Sequence, residues 1–307
     1  MEGFVTEDAI RIVGLEKRFK GFALEIPELS IPKGFTTALI GENGAGKTTL
    51  LNILAGVRLD YKGDVTFFGK YSGRAEDPYV RNHVGFLGGD NYYMPHWTVE
   101  QVRSLNASLF EGFSAEKFDA YCRALDIGGA GGGRKPVRSL SSGNKVKLML
   151  AGVLARDTNL LLLDEPASPL DPLMRDALCN MIREYIDAGA GERTVLLSSH
   201  NVSDMENVTD YALIMEKGRI VEQGFVTDLK EKYILIKGDP ESADAARKVL
   251  MTMSSSSYGY EGLCRAEDLD RLAGLNVETE VPSLSAICIG IMQQYSSLKA
   301  LQDIARM

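Results

Sequence analysis

The stretch that decides the fold runs Phe35-Thr-Thr-Ala-Leu-Ile40, Gly41-Glu-Asn-Gly-Ala-Gly-Lys-Thr-Thr49, Leu50-Leu-Asn-Ile-Leu54. Its first part is β-branched and apolar, as a buried strand should be. Its last part sets Leu50, Leu51, Ile53 and Leu54 at helical spacing. Between them Gly41, Gly46, Lys47 and Thr48 fill the pattern G-x-x-x-x-G-K-[ST], with Glu42, Asn43, Gly44, Ala45 and Thr49 completing the loop. Glycines let backbone N–H groups turn inward around a phosphate at a helix N-terminus, where the dipole also favours an anion. Lys47 brings a point charge to the β- and γ-phosphates, and the Thr48 hydroxyl suits magnesium. A strand, a glycine-rich turn and a helix in this order turn the pattern into a mechanism.

Further along, Leu160-Leu-Leu-Leu-Asp-Glu-Pro166 reads as a buried strand that ends in two acids. An acid at the carboxyl end of a strand beside the loop can hold magnesium, a role assigned here to Asp164. Glu165 follows at once and can act as general base toward an attacking water. The two motifs in one chain imply an ATP–magnesium site.

Three further segments narrow the class, and here the chain resembles the nucleotide-binding subunits of ABC transporters. Leu140-Ser141-Ser142-Gly143-Asn144 stands where that family has its LSGGQ signature, at the start of a helix. Ser168-Pro-Leu-Asp171 looks like the D-loop, and His200, closing Thr194-Val-Leu-Leu-Ser-Ser-His, matches the switch histidine. Phe19 matches the aromatic that stacks on adenine. The resemblance covers about residues 8–230 with the elements in family order. It implies a P-loop α/β core with a parallel sheet, an antiparallel β subdomain and a helical subdomain over about 90–155. It also implies head-to-tail pairing with a second copy or a related chain, the signature of each reaching the nucleotide of the other. Hydrolysis would open the pair and work on a separate transmembrane permease.

The chain departs from the family at Gly89, in Gly85-Phe-Leu-Gly-Gly-Asp90, where a glutamine is expected, and Asp90 is the candidate to take over its role. Ser142 and Asn144 replace a glycine and a glutamine of the signature. The aromatic run Tyr92-Tyr-Met-Pro-His-Trp97 reads either as a receiver for a permease helix or as a packed loop, with Arg81 and Arg103 placed to serve the same contact. The stretch Tyr92–Thr98, the short helical region after it and the small C-terminal appendage look most like exporter subunits, with import as the other direction left open. Two other readings are a soluble ABC-class ATPase that remodels a cytosolic complex and a weakly active nucleotide-gated regulator.

Outside the motifs, Thr98–Leu125 reads as two helices broken near Gly112, and Tyr211–Met215 with Arg219–Glu222 as a hairpin around Lys217-Gly218. Residues 231–307 read as a small C-terminal α+β appendage to the 1–230 ATP-binding domain. In it Tyr233–Lys237 is a strand, Ala243–Met253 a helix, Ser254–Ser257 a serine-rich turn and Ser283–Tyr295 a closing helix. With 34 Lys+Arg against 42 Asp+Glu the net charge of −8 argues against a nucleic-acid partner. Four separated cysteines form no CxxC pair, so neither zinc nor a disulfide framework is expected. No signal peptide or membrane-length apolar run is visible, and the expected location is cytoplasmic, peripheral on the membrane through the permease.

Overall fold

The computed structural model describes residues 7–72, 78–89, 92–128 and 133–295. The chain opens with a long hairpin, β1 (Asp8–Phe19) and β2 (Phe22–Pro32), followed by the short inner strand β3 (Thr36–Ile40) and helix α1 (Lys47–Leu54). Strands β4 (Lys62–Phe67) and β5 (Tyr71–Ser72) join the hairpin in an antiparallel sheet ordered β2-β1-β4-β5. Helix α2 (Pro78–His83) then leads into β6 (Val84–Leu87). Three helices follow, α3 (Val99–Leu109), α4 (Ala115–Ala124) and α5 (Ser142–Leu154), before the chain returns through β7 (Leu160–Leu163), α6 (Pro172–Asp187), β8 (Thr194–Ser199), β9 (Tyr211–Glu216) and β10 (Arg219–Phe225).

The central sheet is ordered β10-β9-β3-β8-β7-β6 and is parallel except where β10 turns back on β9. Every residue of β3, β7 and β8 is buried, which is why these strands read as near-continuous apolar runs. The pleat divides them between two cores. Leu160, Leu162, Leu196, Leu213 and Met215 pack with α1 and the antiparallel sheet, while Leu161, Leu163, Leu197 and Ile214 pack with α5 and α6.

The helical block is capped as its sequence demands. Thr98 and Gln101 form a reciprocal capping box on α3, Ser114 caps α4, and Ser141 caps α5. Buried Arg156 ties the block to the sheet. Its Nη2 donates to the carbonyls of Arg81, Asn82 and Val84 at 2.7–3.2 Å, and its guanidinium lies 3.5 Å from the Phe110 ring centre. The break near Gly112 holds, with α3 ending at Leu109 and α4 starting at Ala115, and a Cβ on Gly112 would lie 2.9 Å from that of Asp157.

After α7 (Val226–Lys232), strand β11 (Tyr233–Gly238) starts a second antiparallel sheet with β12 (Thr252–Ser256), β13 (Gly259–Arg265) and β14 (Val277–Glu280), ordered β12-β13-β11-β14. Two local expectations fail here. The helix expected over Ala243–Met253 is only α8 (Ala243–Ala246), and Ser254–Ser256 form strand instead of turn. Strand β13 is the reason: Ser254, Ser255 and Ser256 pair with Glu261, Tyr260 and Gly259, so a partner strand overrides weak local propensity. The closing helix α9 (Leu284–Tyr295) returns to the first unit. Leu284, Ile287, Cys288 and Ile291 join the core cluster of the central sheet, and Gly290 lies against Leu263 of β13. Among the described residues no helix is long and apolar enough to cross a membrane.

Candidate functional site

The phosphate loop forms a cradle with an open rim. Gly44 and Gly46 have φ of 86° and 114°, backbone that a side chain resists. Gly46 sits at the N-cap of α1 with no side-chain cap, so the first N–H groups of that helix are left to the cleft. Gly41 is required for another reason, since a Cβ there would fall 2.2 Å from the Met215 carbonyl oxygen. Behind the loop the β9–β10 turn supports it, the Gly218 N–H donating to the Ala45 carbonyl at 2.9 Å. Lys47 is 6 % exposed, and its Nζ donates to the carbonyls of Gly41 (2.7 Å) and Glu42 (3.2 Å).

The two acids stand beside this cradle. Strand β7 ends at Leu163, and the Asp164 N–H is held by the Leu87 carbonyl of β6 at 2.8 Å. Asp164 is buried, whereas Glu165, with φ of 48°, turns its carboxylate outward. Glu165 Oε2 meets His200 Nδ1 at 2.6 Å, and Oε1 lies 3.5 Å from Lys47 Nζ. A cleft of about 670 Å³ opens over the loop, Glu165 and His200, while the buried Asp164 is not among the described residues that line it. Glu42, Asn43, Gly44, Gly46, Lys47, Thr48 and Thr49 line it, together with Phe19, Glu165 and His200. Phe19 is 39 % exposed at the rim of the cleft, with Lys17 Nζ and the Arg58 guanidinium over its ring at 5.2 and 5.1 Å, so a base stacking on it would have to displace one of them.

The structure keeps the signature apart from this cleft. None of Leu140, Ser141, Ser142, Gly143 or Asn144 is among the described residues that line it. Ser141 and Ser142 are exposed at the start of α5, and the Ser141 hydroxyl accepts the Asn144 N–H at 3.2 Å. Asp171 is likewise exposed and caps α6 by accepting the Met174 N–H at 2.9 Å. The next turn of α6 grips the chain beyond His200, Arg175 Nη1 meeting both Asp204 carboxylate oxygens at 2.8–2.9 Å.

A Cβ on Gly89 would stand 3.6 Å from Asp164 Oδ2, so the substituted position does face the buried acid. Asp90 lies outside the described residues. The aromatic run divides: Tyr93 is buried, with its hydroxyl on Asn106, while Tyr92, Met94, Pro95 and His96 are exposed. Arg103 is paired with Asp119 at 3.0 Å on the helical block. Ser168, at the head of the segment read as a D-loop, lines the cleft; sequence reasoning missed Phe22, which also lines it, and Ser198, whose hydroxyl bonds Asp164 and the Glu165 N–H. Strand β8 reads Thr-Val-Leu-Leu-Ser-Ser, so the hydroxyl of Ser198 does not stand out in the sequence from those of Thr194 and Ser199.

Comparison with known proteins agrees with this geometry. The family model described as ABC transporter matches residues 24–168. An energy-coupling factor transporter ATP-binding protein of Methanospirillum hungatei is 34% identical over 313 aligned residues, covering 91% of this chain and 78% of that protein. The chain belongs to the ABC transporter ATP-binding family. As a member it binds and hydrolyses ATP. Other ABC relatives include an L-cystine transport ATP-binding protein of Escherichia coli, 34% identical over 70% of this chain and 90% of that one. A nickel import ATP-binding protein of Rhodobacter capsulatus is 29% identical over 75% and 94%. The fold matches a solved ATP-binding subunit of an ABC transporter with TM-score 0.63 at 24% identity, covering 72% of this chain and 92% of that one. A bacterial ABC exporter with ATP bound gives TM-score 0.62 at 22% identity over 74% and 40%, a likeness of fold alone. The expectation of export therefore draws no support from these relatives.

Proposed function

We propose that this chain supplies ATP-driven motion to a separate membrane permease, by pairing head to tail with a second ATP-binding chain. The observation that carries the reading is that none of Leu140–Asn144 is among the described residues lining the cleft of their own chain, while Ser141 and Ser142 stand exposed at the N-terminus of α5, an end suited to an anion. A γ-phosphate bound between two chains adds charge-assisted hydrogen bonds that ADP lacks, so ATP closes the pair and hydrolysis opens it.

Within one site the roles follow from position. The N–H groups of the loop and Lys47 bind the phosphates, and Phe19 stacks on the base. Glu165 takes the proton of the attacking water, and His200 holds the Glu165 carboxylate in place. Thr48 and Asp164 offer a hydroxyl and a carboxylate, hard oxygens that suit magnesium. The described residues contain no group of three or more His, Cys, Asp or Glu able to cage a metal, which fits an ion that keeps water and phosphate as most of its ligands. Bound there, magnesium would neutralise charge on the phosphates.

Direction of transport belongs to the permease in this reading, since closing and opening of the ATP-binding pair is the same for either. The test is purification of tagged Glu165→Gln chain from detergent-solubilised cells of its source with ATP and magnesium. A polytopic membrane protein in stoichiometric amount is the expected companion. A soluble complex instead, or a chain that stays monomeric with ATP, overturns the proposal.

A further inference from the structure

Strand β8 carries Ser198 into the gap between the two acids. The side chain is fully buried, and a buried hydroxyl is costly unless bonded. Both of its bonds go to the site. Ser198 Oγ donates to Asp164 Oδ1 at 2.6 Å and accepts the N–H of Glu165 at 2.9 Å. The second bond falls on a strained peptide, since Glu165 has the left-handed φ of 48°. The first leaves Asp164 with one oxygen engaged and the other, Oδ2, toward Gly89, which itself offers no side chain to it.

We propose that Ser198 is a positioning residue for ATP hydrolysis, one hydroxyl that sets which Asp164 oxygen faces the metal and pins the peptide that aims Glu165. A carboxylate is free to turn about its last torsion, and a charge-assisted bond to one oxygen removes that freedom. The Asp164 backbone needs no such help, being held by Leu87. On the Glu165 side, the pinned peptide places the carboxylate between His200 and Lys47. The inference rests on the roles proposed above for the two acids.

The test compares Ser198→Thr with Ser198→Val in the full chain, two side chains alike in shape that differ in the hydroxyl, with Ser198→Ala alongside. Binding of Mn²⁺ in the presence of a non-hydrolysable ATP analogue, followed by electron paramagnetic resonance, reads the Asp164 side without turnover. Amide exchange at Glu165 reads the other. Removing the hydroxyl is expected to weaken Mn²⁺ binding and lower kcat by about tenfold each, the scale of lost partners behind a metal ligand. KM for ATP at saturating magnesium should change less than about twofold. Exchange at the Glu165 amide should quicken, and Ser198→Thr should restore all three. Thr and Val variants equal in Mn²⁺ affinity and kcat overturn the inference, as does a loss confined to thermal stability. Asp164→Asn and Glu165→Gln, run in parallel, separate the two levels: if they hydrolyse ATP at the parent rate the roles of the acids fail, whereas inactive acid variants beside an unaffected Ser198→Val sink the Ser198 inference alone.

Discussion

At the residue scale, the phosphate loop shows two different needs for glycine, and they make different predictions. Gly44 has a φ of 86° with open space around it, so its requirement is conformational. Gly41 has no room, because the end of β9 lies against it at Met215. Gly41→Ala should therefore push loop and strand apart, costing about 1–3 kcal/mol of stability and weakening ATP binding, as thermal unfolding and nucleotide titration would register. The neighbouring Glu216 is buried, with Oε1 lacking a hydrogen-bond partner. Burial first, and then the nearby Glu42 carboxylate, raise its pKa above the ordinary glutamate value. A raised acid is ionised at a cost in the folded chain, so the stability it allows is full below the unfolded pKa and falls as pH climbs through the folded one. Glu216→Gln should then be stabilised relative to the parent increasingly from acidic toward neutral pH. A difference in melting temperature that stays flat with pH would count against this.

At the scale of elements, α9 is the clearest case of an assignment whose meaning lay elsewhere in the chain. Its apolar residues announce a buried helix, but nothing in them names the partner. Glu206, in the turn beyond His200, accepts the N–H of Leu284 at 2.8 Å and pairs with Lys230 at 3.3 Å. At the other end Lys217 Nζ donates to the Tyr295 carbonyl at 2.7 Å, from the turn that backs the phosphate loop. The helix is thus pinned at one end to the turn beyond His200 and at the other to the turn behind the phosphate loop. Glu206→Ala strips the first N–H groups of α9 of their acceptor and should cost about 1 kcal/mol, seen as a melting temperature lower by a few degrees. An unchanged melting temperature would mean that the contact contributes nothing. The serines of β12 show the same dependence in reverse: a turn-like composition became strand because β13 offered its backbone groups.

At the scale of the whole molecule, the separation of signature and phosphate loop leads to a complementation experiment. Lys47→Ala and Ser141→Arg chains should each be inactive alone. Mixed in equal amounts, half of the pairs would combine the two, and each such pair holds one site with both parts intact. Turnover should recover to about a quarter of the parent rate when sites act independently. No recovery, with pairing verified, would contradict the head-to-tail arrangement.

Residue order alone determined the nucleotide core: the glycines, lysine and threonine of residues 41–49, the acids after four leucines and the strands β3, β7 and β8. These are legible because buried parallel strands and phosphate loops impose their residue types locally, wherever the chain places them. Tertiary structure decided what depended on distant segments meeting. It set Ser198 against Asp164 and Glu165, gave β12 its partner, drew α9 back onto the first unit, and held the signature away from its own cleft. The physical reason is that a hydroxyl, a serine run or an apolar helix is satisfied by many partners, and only packing selects among them.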